Sequence, residues 1–160
     1  MTISEYVAQQ TVRIAEALAH FIQTTEPDRL EWQPAVEGEK ASTRCALEQI
    51  SECVQVNHLM AAVLRGETVS IPPGPRPDIV FAGVEDAQKR LRASAQDLAS
   101  AIQSLSEADF EREFQHPRGL IRGSNLIMMG YRNMAYHAGQ INFIQTLYGD
   151  VEFHAPPNWR

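Results

Sequence analysis

The sequence is short of cysteine, of basic charge and of long apolar runs, and each shortage excludes something. Its 160 residues hold two cysteines, Cys45 and Cys53. They fall eight positions apart in what reads as one helix, which separates their Cα atoms by about 12 Å. That is beyond the reach of a disulfide, so both are read as small buried apolar residues. Lys and Arg total 14 against 20 Asp and Glu, a net charge of −6. The densest basic stretch, Lys89, Arg90 and Arg92, is interrupted by Leu91 and preceded by acids. Scattered cations on an acidic chain make nucleic acid and anionic membrane surfaces poor partners. No apolar run approaches the roughly 20 residues needed to span a bilayer. The opening MTISEYVAQQ has neither the basic nor the apolar region of a signal peptide. A cytoplasmic protein is therefore expected, with one domain over 1–160. No stretch has strand periodicity long enough for a sheet, so the expected class is all-α.

What is present is helical periodicity. Residues 3–23 carry Val7, Ile14, Leu18 and Phe21 at helical spacing behind a capping box of Thr2 and Glu5. The connector that follows holds Leu30 and Trp32, which are expected to tuck under the bundle end. A second helix is predicted over 43–65, stopped by Gly66, with one apolar stripe through Leu47, Ile50, Val54, Ala61 and Leu64 and another through Val56, Leu59 and Val63. A helix apolar on two faces is expected to be buried on two sides and predicts a homodimer. Residues 66–83 form an eighteen-residue linker rich in proline. Extended, it reaches roughly 55–60 Å, more than the about 35 Å of the second helix, so it can carry the chain back and set helices 2 and 3 parallel. A third helix is predicted over 84–105, an extra turn capped by Ser106 and Asp109, a polar loop over 116–123, and a fourth helix over 125–148 capped by Ser124 and stopped by Gly149.

The fourth helix carries the chemistry. Asn133, His137 and Gln140 sit at i, i+4 and i+7 on one face that is otherwise apolar. Polar groups on such a face need one another, water or an ion. Gly130 and Gly139 each weaken the helix by about 1 kcal/mol relative to Ala, a cost that suits positions where backbone or ligand comes close. Glu52 continues the second apolar stripe of helix 2, and a buried carboxylate needs a cation, a proton or a metal. Glu52, Asn133 and His137 would make an O, O, N set with open positions, the layout of a catalytic metal site. The alternative is a metal-free core histidine bonded to Glu52 or Gln140. His58 lies about 120° from Glu52 around the helix and is placed at the surface or rim; a rotated helix 2 would put it in Glu52's place.

The segment NMAYHAGQINFIQTLYG, the connector LEWQP and the helix ALEQISECV resemble the DinB-like superfamily, the damage-inducible helical bundles related to bacillithiol transferases. His137, Gly139, Gln140 and Ile141 match its last-helix pattern, Asn133 stands at that pattern's first histidine, and Glu52 aligns with the histidine of helix 2. The resemblance implies a four-helix bundle in up-down-down-up order, and a divalent metal, zinc or nickel, held by three histidines. It also implies thiol-dependent chemistry: transfer of a low-molecular-weight thiol, or isomerisation of maleylpyruvate. Glu52, Asn133 and His137 occupy the metal positions, and Gln140 is assigned beside the cofactor as an orienting residue. With one histidine of three in place, the donor set is degenerate, and carboxylate and amide oxygens favour harder ions.

Overall fold

The computed structural model describes residues 1–35, 43–71, 74 and 77–159. Four long helices dominate it: α1 (Ile3–Thr24), α2 (Ala46–Leu64), α3 (Val84–Gln103) and α6 (Met129–Leu147), with one-turn helices α4 (Glu107–Glu111) and α5 (Gly123–Leu126) between the last two. The capping box at Thr2 and Glu5 starts α1. Helix α2 starts three residues later than expected, because Glu48 reaches back to the Cys45 N–H and completes a capping box there. Gly66, at φ +78°, ends it in the left-handed conformation that costs a glycine little. The fourth helix also begins late: the tighter bond from the Met128 N–H to the Asn125 carbonyl, 3.2 Å, separates α5 from α6.

The expectation of no sheet needs correction. The end of the extra turn expected over 106–114 and the loop expected over 116–123 instead form an antiparallel hairpin, β1 (Glu113–His116) and β2 (Gly119–Arg122), in which Glu113 faces Arg122 and His116 faces Gly119. Along β1 Phe114 and His116 turn inward while Glu113 and Gln115 face solvent. Four residues per strand are too few for period-2 alternation to stand out in sequence.

Side-chain pairs set the order of the long helices. Gln88 at the start of α3 donates to the Ala19 carbonyl near the end of α1, and Arg92 pairs with Glu16. Asn57 meets Ser94, and Arg65 meets Asp97, so α2 and α3 advance together. Asn57 meets Met134 while Gln49 meets His137, so α2 and α6 run opposite ways. The linker after α2 runs back along it: Gln55 donates to the Pro77 carbonyl at 3.0 Å, and the Ile79 N–H donates to Ser51 at 2.7 Å. Pro72, Pro73 and Pro75 lie outside the described residues.

Two apolar clusters fill the interior. One joins Leu18, Phe21, Ile50, Leu91 and Ile141, the other Met60, Leu64, Leu98, Ile102 and Leu126. Gly130 is where α6 comes closest to its neighbours: a Cβ there would lie 2.3 Å from Leu98 Cδ2 and 2.9 Å from Asn57 Oδ1. At Gly139 no neighbouring protein atom comes close, since a Cβ there would meet nothing within 4 Å. Leu30 packs on the first cluster, and Trp32 meets Tyr148 edge-on at 5.8 Å between ring centroids. Both cysteines are buried and free.

Candidate functional site

Glu52, Asn133 and His137 meet where α2 faces α6. Asn133 Nδ2 donates to Glu52 Oε1 at 3.4 Å, and His137 Nε2 stands 3.5 Å from the same oxygen. The antiparallel run of the two helices brings this about: positions 49 and 52 on α2 fall against 137 and 133 on α6. Gln140, three residues on from His137, is half-buried and raises the pKa of the imidazole. His58 is elsewhere, on the exposed side of α2 and 3.6 Å from Asp97.

Two partners escaped the sequence reading. Gln49 is buried, and its Oε1 lies 3.1 Å from His137 Nδ1. The other end of the same amide donates to the Arg44 carbonyl, which fixes which end faces the ring. With the proton on Nδ1, the ring would donate to Gln49 Oε1 and leave a lone pair on Nε2, which faces Glu52. Gln49 sits three residues before Glu52 and extends the same stripe one step toward the helix start, a signal available in the sequence but a quiet one, because a neutral amide does not demand a partner as a buried carboxylate does. Arg44 precedes α2, and its guanidinium pairs with Glu52 Oε2. Helical spacing could not reveal that contact, because Arg44 lies outside the helix.

Burial pushes the His137 pKa below its ordinary value, while Glu52 and then Gln140 pull it back up and Arg44 lowers it. The neutral ring is thus favoured. Two buried acceptors, His137 Nε2 and Asn133 Oδ1, find no hydrogen-bond partner among the described residues. Beside them opens a cavity of about 630 Å³. Val56, Leu59, Met60, Ile71, Ile121 and Met129 give it an apolar floor, and Arg44, Arg118, Arg132, Glu52 and Asp78 charge its walls. His116, from the hairpin, also lines it, with Nδ1 accepting the Arg118 N–H at 3.1 Å.

Among the described residues no three His, Cys, Asp or Glu side chains cluster as a metal-binding group. The donors at hand are one imidazole, one carboxylate and one amide. Their chemistry nonetheless suits a cation: His137 Nε2 stands 3.5 Å from a carboxylate oxygen, His137 Nε2 and Asn133 Oδ1 are buried without a hydrogen-bond partner among the described residues, and Gln49 meets the far side of the imidazole as the partner of a metal-bound histidine does.

Helices enclosing a polar cluster at the α2–α6 seam define a bundle of the type the sequence resembles. A sequence model of the DinB superfamily matches residues 10–141, and the chain belongs to that superfamily. Its fold is similar to that of a DinB-like protein from Bacillus subtilis whose crystal structure was determined at 2.30 Å: identity is 15%, the TM-score 0.62, and the match covers 96% of this chain and 99% of that one. No curated protein sequence matches the chain. No helix among the described residues is long and apolar enough to cross a membrane.

Proposed function

We propose that the chain is a small-molecule enzyme of the thiol S-transfer type, with a divalent-cation site on His137 Nε2, Glu52 Oε1 and Asn133 Oδ1 at the polar end of the cavity. One observation carries this reading: two buried polar atoms of neighbouring side chains, one of them 3.5 Å from a carboxylate oxygen, have no hydrogen-bond partner among the described residues. Leaving a buried acceptor unsatisfied costs about 1–3 kcal/mol, and one cation satisfies both. The mixed set leaves positions open for a ligand and suits harder ions better than three imidazoles do, so zinc and nickel lose their usual advantage over manganese. When bound, such an ion would hold a low-molecular-weight thiol as its thiolate. The protein's residues supply the rest. Gln49 holds the proton on Nδ1, Asn133 and Arg44 orient Glu52, and the apolar floor excludes water. The up-down-down-up order belongs to the same reading, supported by α2 and α3 advancing together while α6 runs against α2.

Arg44 supports a second reading. Its guanidinium already neutralises Glu52, as it would in a metal-free ligand pocket. Elemental analysis of protein purified without a His tag, followed by calorimetric titration of chelator-stripped protein with Mn²⁺, Zn²⁺ and Ni²⁺, separates the two. The cation reading expects one ion per chain, with affinity lost in His137→Ala and reduced in Asn133→Ala. Stripped protein that takes up no ion leaves the metal-free pocket.

A further inference from the structure

Ten arginines lie among the described residues. Seven of them face a carboxylate, and Arg13 donates to the Asn158 carbonyl. The two that remain, Arg118 and Arg132, have no ion-pair partner among the described residues, and both line the same cavity. This is unexpected in a chain where acids outnumber bases by 20 to 14. Chance pairing favours the cations, and guanidiniums elsewhere on the surface have found acids. The two come from different elements. Arg118 sits in the hairpin turn, and Arg132 on α6 immediately precedes Asn133.

We propose that this cavity binds a small organic carboxylate, its anionic group held by Arg118 and Arg132 and its apolar body on the floor formed by Val56, Leu59, Met60 and Met129. The inference rests on the reading that this cavity is the working site, and it names the class of ligand. Among the described lining residues, three guanidiniums against two carboxylates, Glu52 and Asp78, leave one surplus positive charge on the walls. That matches a monoanion rather than a doubly charged phosphate. Guanidinium forks meet carboxylate oxygens in a bidentate fashion, which orients the ligand as well as attracting it. The volume, about 630 Å³, falls within the range of small-ligand clefts. With its carboxylate at the arginines, such a ligand has its other parts within a cavity that Glu52 and Asn133 also line.

The probe is 4-phenylbutyrate, compared with its neutral isostere 4-phenylbutanamide, titrated by heteronuclear NMR against the full chain. The acid is expected to bind saturably and the amide at least tenfold more weakly. Arg118→Gln and Arg132→Gln should each weaken the acid about tenfold or more while leaving the amide unchanged. Both side chains are exposed, so circular dichroism should show an intact fold. Chelator-stripped protein and His137→Gln should keep the preference for acid over amide, so failure of the cation reading is visible separately from failure of this one. Equal binding of acid and amide, an Arg118→Gln/Arg132→Gln double variant that binds the acid like wild type, or no saturable binding of the acid would each overturn the proposal.

Discussion

Two glycines nine residues apart on α6 should answer the same substitution with opposite signs. Replacing either by alanine removes backbone freedom from the unfolded chain and improves helix propensity, worth about 1 kcal/mol in a helix interior. At Gly139 nothing opposes that gain, because the new methyl meets open space. At Gly130 the methyl would lie 2.3 Å from Leu98 Cδ2 and 2.9 Å from Asn57 Oδ1. Neither neighbour can readily retreat. Leu98 is fully buried in the second apolar cluster, and Asn57 is held by hydrogen bonds to Ser94 and to the Met134 sulfur. Overpacking of this kind costs about 1–3 kcal/mol, which matches or exceeds the propensity gain. Gly130→Ala should therefore be neutral to about 2 kcal/mol destabilised, and Gly139→Ala about 0.5–1 kcal/mol stabilised. At about 2–4 °C per kcal/mol for a chain of this size, the two melting temperatures should differ by several degrees. Urea unfolding read by circular dichroism measures both. The reasoning is refuted if Gly130→Ala is as stable as Gly139→Ala. A stable Gly130→Ala would mean that α6 can move away from α2 and α3 at no cost, and the distances at Asn133, three residues on, would then lose their meaning.

Gln49→Leu removes the acceptor for the His137 Nδ1 proton. It should cost about 1–3 kcal/mol for the stranded donor, and nitrogen chemical shifts of the ring should show the tautomer preference weakened; an unchanged ring spectrum would refute the assigned role. The pH dependence follows from the direction of the His137 shift. Its folded pKa lies below the ordinary 6.5 because of burial, so the unfolded chain binds the proton more readily. Stability is then fully present above about pH 6.5 and is lost as pH falls through the depressed folded value. In chelated protein the urea midpoint should drop between pH 7.5 and pH 5, and His137→Gln should drop less; equal drops would remove His137 as the cause.

The long helices were legible because their apolar residues recur at helical spacing and their ends carry local signals, as Thr2 with Glu5 and Gly66 show. The late start of α2 was less so. Its capping box uses Cys45, a residue type that does not advertise a cap, and only Glu48 reaching back reveals it. The hairpin was invisible for want of length. Phe114 and His116 alternate with exposed neighbours over only four residues. The two glycines of α6 read alike because a glycine in a helix says that a side chain is missing, not why. Only the neighbours of Gly130 and the emptiness around Gly139 separate the two cases.

At the site, sequence spacing could place Asn133 and His137 on one face and mark Glu52 as a carboxylate in need of a partner. It could not say which partner, because that depends on what the fold brings from outside the helices. Arg44 approaches from the segment before α2, and Gln49 extends the Glu52 stripe as a neutral amide, which does not announce a need for a partner. Their effects oppose each other. Gln49 prepares the imidazole for an electrophile by holding its proton on the far nitrogen, whereas Arg44 supplies Glu52 with the positive charge that an ion would otherwise bring. In the proposed reading the site therefore balances between holding a cation and holding a ligand directly. Arg118 and Arg132, without an ion-pair partner among the described residues and lining the same cavity, add an attraction for anions that operates in either state. An anionic ligand placed there lowers the positive potential that Arg44 creates around Glu52 and so makes room for a cation. Binding of a carboxylate and binding of a divalent ion should each strengthen the other, a coupling that is reciprocal by thermodynamic necessity.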